Sequence, residues 1–166
     1  MTEATKTWAH DTDHCVVSWD RVLIHVWCHA TTRDAIANLE RYARAFIAEQ
    51  PPGQKICSLG IVERTSPPPG DQVRSDLSRF FRELMPQLNA AIIVPEGGGF
   101  RAAMVRGVGV ALSTLAPRSL PFTFADSIPS AAQRIAPFLS PRAGGAATLE
   151  TVIEQARTLA GVVERR

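Results

Sequence analysis

Asn89-Ala-Ala-Ile-Ile-Val94, then Pro95-Glu96-Gly97-Gly98-Gly99, then Phe100-Arg101-Ala102-Ala103-Met104-Val105, is the stretch on which the fold turns. An unbroken apolar run has no polar side to show to water. Residues 89–94 therefore read as a strand buried on both faces and covered by helices. The three glycines mark a tight strand-to-helix turn, and a helix is expected from there to about residue 116, ahead of Pro117.

Working towards the N-terminus, the same pattern repeats. Lys55-Ile-Cys-Ser-Leu-Gly-Ile-Val62 is a second buried strand, and a helix from near Asp71 packs through Val73, Leu77, Phe80, Phe81 and Leu84. Cys15-Val-Val-Ser-Trp19 and residues 21–28 are two apolar runs around a tight turn at Asp20, which predicts a hairpin. Thr31 or Thr32 caps the helix that follows, with Asp34 in its first turn. That helix buries Ile36, Leu39, Ala43, Phe46 and Ile47, and Pro51-Pro52-Gly53 ends it. Beyond the glycines, Pro121-Phe-Thr-Phe-Ala125 is a short strand, and Asp126 or Ser127 caps a helix with Pro129 in its first turn. A last helix from Thr148 carries Leu149, Val152, Ile153, Ala156, Leu159 and Val163 on one side.

The order is β-β-α-β-α-β-α-β-α-α. Helices between successive strands demand parallel crossovers. The expected fold is therefore α/β: a single domain whose mostly parallel sheet has an antiparallel N-terminal edge strand and helices on both faces. Residues 1–13 read as a flexible segment, 14–140 as the domain, and 141–166 as a linker and an extra C-terminal helix, a candidate for covering an edge or for a dimer contact.

Composition excludes more than it selects. At 166 residues, 45% apolar and 20% charged, the chain can bury a core without disulfides or metals. A net charge of +2 gives no reason to expect a nucleic-acid or membrane surface. The N-terminus is polar and no apolar run approaches the ~20 residues of a membrane span, so a cytoplasmic location is expected. Cys15, Cys28 and Cys57 form no C-x-x-C pair and read as buried, reduced thiols.

Several constellations have chemical readings. Gly97, Gly99 and Ala102 match G-x-G-x-x-A after a strand, and Asp126 stands where a ribose-binding acid would. Glu96 beside a pyrophosphate argues against a dinucleotide, and a plain packing turn is the simpler account. The amides at the start of the following helix, with Arg101 nearby, offer a place for a small anion. His10, Asp11, Asp13 and His14 form an H-D-x-D-H cluster, but a terminal tail offers no rigid frame for a metal. His25 and Trp27 share one strand face with His29, and are expected to cover helix surface with their polar edges hydrogen-bonded. Cys28 beside His29 is no dyad, because consecutive strand residues face opposite ways. There is no G-x-S-x-G elbow and no Walker lysine. Trp8 and Trp19 are candidates either for a contact surface or for packing of the N-terminal arm.

In its order and strand lengths, the region from about Cys15 to Leu139 resembles the STAS domain, the SpoIIAA-like fold of bacterial anti-sigma factor antagonists. The resemblance implies a non-enzymatic regulatory module that binds a protein partner, with no catalytic residues, cofactor or metal. In the antagonist branch the loop after the third strand carries Asp-Ser-Ser/Thr-Gly, whose hydroxyl is phosphorylated. Here that loop reads Arg64-Thr65-Ser66-Pro67. It lacks the Asp and the Gly, and proline after Ser66 favours an extended backbone over a helix start. The phospho-switch is therefore not carried over. The expected partner or anion surface is Thr65 and Ser66 on one loop with Glu96, Gly97, Gly98, Gly99, Phe100 and Arg101 on the next, because ligands of open α/β sheets gather at the carboxyl ends of the strands. The alternative is a small-molecule or nucleotide-binding protein that uses the glycine turn.

Overall fold

The computed structural model describes residues 4–11, 13–97, 107 and 122–161. Six strands form one sheet in sequential order: β1 (Lys6–His10), β2 (His14–Trp19), β3 (Val22–Trp27), β4 (Ile56–Val62), β5 (Leu88–Pro95) and β6 (Phe122–Phe124). The first two pairings are antiparallel, and those from β3 to β6 are parallel. Among the described residues the helices are α1 (Arg33–Glu49), α2 (Asp71–Leu84), α3 (Ile128–Ile135) and α4 (Ala146–Leu159). Of the expected helix over 100–116, only Gly107 is among the described residues, and it is helical.

Sequential order decides where the helices go. Right-handed crossovers that step in one direction place their helices on one face of the sheet. Accordingly α1 and α2 share a core with Val16, Leu23, Trp27, Ile56 and Ala91. Helices α3 and α4 cover the other face, over Val17, Trp19, Ile24, Leu59 and Ile92. Ile92 and Ile93 sit in a central strand, paired with Leu59 and Gly60 on one side and Thr123 and Phe124 on the other.

The caps follow the sequence. Thr32 accepts a hydrogen bond from the Ala35 amide (3.1 Å), and Ser127 accepts one from Ser130 (3.3 Å). At the hairpin, Asp20 takes a positive φ of 50° and its Oδ2 accepts from the Ser140 amide at 2.8 Å. One short side chain thus ties the β2–β3 turn to the segment between α3 and α4.

Three expectations change. Part of the segment read as a flexible lead-in is strand β1. Its Trp8 donates to Ser18 Oγ (2.8 Å) and packs on Tyr42 and Phe46 of α1, so the pairing is secured by one aromatic anchor. Trp19 is no contact anchor, being 1% exposed in the core. The last helix spends its apolar stripe inside the domain: Leu149, Val152, Ile153 and Ala156 are buried on the sheet, which removes that stripe as a dimer contact.

Beneath α1 the sheet carries a polar interlude. Trp27 Nε1 donates to His25 Nδ1 at 2.9 Å. An indole N–H only donates, so the neutral imidazole carries its proton on Nε2, which faces Ser58 Oγ at 3.3 Å. His14 also stacks on Trp27, with ring centroids 5.8 Å apart. Gly60 makes room for this arrangement, since a Cβ there would stand 2.6 Å from both His25 Cε1 and Ile93 Cδ1. Gly60→Ala is expected to cost about 1–3 kcal/mol by overpacking. Urea denaturation measures it, and an unchanged midpoint would contradict the contact.

Burial, then the nearby His14, pushes the His25 imidazole down to about 3. The native state therefore refuses a proton that the unfolded chain accepts below about 6.5. The stability contributed by neutral His25 is fully present above that pH and falls by about 1.4 kcal/mol per pH unit on acidification towards 3. A urea series from about pH 7 to 5 is expected to show this slope, reduced by one proton in His25→Asn.

Candidate functional site

The carboxyl ends of β3, β4 and β5 form a rim with staggered backbone bonds. The Cys28 amide donates to Asp13 O (2.8 Å), Glu63 to Trp27 O (2.9 Å) and Glu96 to Val62 O (2.8 Å). Each loop thus begins on the strand beside its own, and the loops after β4 and β5 lie next to one another. Thr65 Oγ1 donates to Cys28 O, which ties the β4 loop back over the end of β3. The Ser66 amide turns back to Glu63 O at 3.0 Å.

The expected surface residues divide accordingly. Thr65 is exposed, although its hydroxyl is engaged; Ser66 is only 2% exposed and does not present its hydroxyl to solvent. Glu96 and Gly97 are half-buried beside that loop. Gly97 adopts φ +96°, and a Cβ there would meet Arg64 Cγ at 3.2 Å, so the first glycine serves both turn and packing. Gly98, Gly99, Phe100 and Arg101 lie outside the described residues. Asp126 follows β6 as expected and is exposed.

Sequence reading missed the centre of this rim. Glu63 is 3% exposed, and Arg157 from the last turn of α4 grips it with two hydrogen bonds, Nε to Oε1 at 2.6 Å and Nη2 to Oε2 at 3.1 Å. The same guanidinium bonds Glu154 at 3.0 Å and stands 3.9 Å from Glu96. One cation thus holds α4 to the loops after β4 and β5. These bonds, Glu63 foremost, raise the Arg157 guanidinium above its already high ordinary value. No local signal marks the pair: its members are 94 residues apart, and in its own helix Arg157 reads as an ordinary polar-face residue.

Cys28 lies beneath this clasp, 2% exposed, with Sγ 3.7 Å from the Ala160 carbonyl. Burial first, and then Glu63, Asp11 and Asp13, push its thiol up to about 11, against the opposing pull of Arg157. Burial likewise raises Cys15 to about 11 and Cys57 to about 12. All three stay protonated at neutral pH, the form that is a poor nucleophile.

The H-D-x-D-H stretch turns the chain. Asp11 Oδ1 accepts from the amides of Asp13 and His14, each at 2.8 Å, and Oδ2 stands 3.0 Å from His14 Nδ1. Partial burial works to raise the Asp11 carboxyl, but those amides and the His14 ring hold it below its ordinary value. Among the described residues no group of His, Cys, Asp or Glu is arranged to hold a metal ion. His29 lies beyond the end of β3 and is exposed, so it does not share a strand face with His25.

Searches against protein-family models, curated proteins and solved structures return no match for this chain.

Elsewhere, two clefts of about 290 Å³ each lie on the seam between α1 and α2. One has Phe80 and Leu84 in its wall, crossed by the Arg44–Glu83 pair at 2.7 Å. The other includes the buried Asp76, which Arg33 (3.0 Å) and Arg79 (3.3 Å) neutralise. Their charges are largely satisfied within the helix pair. Among the described residues no helix is long and apolar enough to cross a membrane.

Removing one partner of a buried, doubly bonded ion pair strands the other. Arg157→Gln is expected to cost about 3–5 kcal/mol, most of which the double variant Glu63→Gln/Arg157→Gln restores. A double-mutant cycle by urea denaturation checks this; strictly additive losses would show that the two side chains do not act as a pair.

Proposed function

We propose that this chain is a STAS-like, non-enzymatic regulatory module that binds a protein partner in the bacterial cytoplasm through the carboxyl rim, without a phospho-switch. The reading rests chiefly on how the rim spends its polar groups. Glu63 is saturated by Arg157, the Thr65 hydroxyl is given to Cys28 O, and Cys28 keeps its proton. Groups committed in this way hold a shape, and are poorly placed to transfer protons or attack a substrate.

What the rim offers outward is contact surface. Arg64, Thr65, Pro67 and Pro68 are exposed on a loop pinned at both Cys28 and Glu63. Prolines and internal bonds reduce the entropy that such a loop loses on docking, which favours recognition by a preformed surface. The buried Ser66 supports leaving out the phospho-switch. Three buried, unpaired thiols support a reducing compartment.

A photo-crosslinking residue placed at Arg64 is expected to capture one specific protein from extracts of the native host. The same probe at exposed Ala48 on α1 is expected to capture none. Equal capture at both positions, or none at Arg64, removes the rim from the reading. A nucleotide panel tests the alternative: a ligand at about 1,000 times its Kd stabilises by about 4 kcal/mol, so a clear thermal shift with a dinucleotide or nucleoside phosphate would overturn the proposal.

A further inference from the structure

Helix α4 is held in two different ways along its length. From Leu149 to Ala156 its inner face is apolar and buried on the sheet. Residues 157–161 are half-buried or exposed: Leu159 and Ala160 pack against the core only in part, and the remaining contacts are polar, the Arg157 bonds to Glu63 and Glu154 and the weak Cys28 Sγ bond to Ala160 O. Helix ends with less apolar burial than the body they belong to open more easily than that body. Here that end lies over the rim, where it covers Cys28 and neutralises Glu63.

From this we infer that residues 157–161 are a strap that opens locally, by release of Arg157, while the rest of α4 stays docked. The inference rests on the rim being the partner surface. It supplies that surface with a regulated state, since opening replaces a closed, charge-matched edge with one that displays Glu63, Glu96 and Glu154. Glu63 sits at the end of a buried strand and is costly to leave without a counter-charge. A partner that keeps the strap open must therefore bring a cationic side chain to Glu63.

The chain carries its own reporters. Cys28 lies under the strap, whereas Cys15 and Cys57 are buried within the sheet and are reached only when the core opens. The wild-type protein is labelled with excess iodoacetamide under native conditions, and each cysteine is followed by peptide mass spectrometry. Cys28 is expected to react at least about tenfold faster than Cys57, and Arg157→Gln to speed Cys28 labelling at least about tenfold, because opening then no longer has to release the clasp. One common rate for all three thiols, tracking global unfolding, would overturn the strap. If Arg157→Gln does not fold, the wild-type ratio decides alone. Failure here leaves the rim reading standing, because capture at Arg64 tests that reading separately.

Discussion

Parallel pairing of β3, β4 and β5 is the constraint from which the rest of the molecule follows. A parallel neighbour is reached only by a crossover, and a crossover that returns over the sheet brings a helix with it. Two such steps in the same direction cover one face and leave the other open. The chain therefore needs a second pair of helices, and α3 and α4 meet that need. Strands buried on both faces are the result, with Val22, Ile24 and Val26 turned one way and Leu23, His25 and Trp27 the other.

This arrangement also concentrates loops. The carboxyl ends of three adjacent strands, the β1–β2 turn and the end of α4 meet along one edge. There the polar groups face one another more than solvent: carboxylate against guanidinium, hydroxyl against carbonyl, thiol against carbonyl. Burial strengthens each of these contacts and makes each expensive to break singly. The edge is thus firm where Glu63 and Thr65 are bonded, and open to a neighbour where Arg64 and Pro67 are exposed.

Much of the fold was legible in the order of residues. The runs at Ile56 and Ala90 lack a polar alternation, so they read as doubly buried strands, and the stripe from Ile36 to Phe46 has helical spacing. Strand β1 was not legible, because Lys-Thr-Trp-Ala-His has no apolar face and owes its place to Trp8. Asp76 escaped notice because Val73, Leu77 and Phe80 give α2 a sufficient stripe without it. At the rim, the neighbouring loops could be placed from topology. The clasp could not, since nothing local to Glu63 or to Arg157 announces a partner in a distant helix.

The order of construction has a cost during synthesis. The helices described over Val17, Trp19, Ile24, Leu59 and Ile92 lie after all six strands in the chain, so they leave the ribosome later than the sheet they cover. Until residues 128–159 emerge, that greasy side of the nascent sheet lacks its cover, a state prone to stick to other unfinished chains. A ribosome stalled before that point would release something hazardous rather than merely shortened. Covering this face consequently waits on the synthesis of residues 128–159.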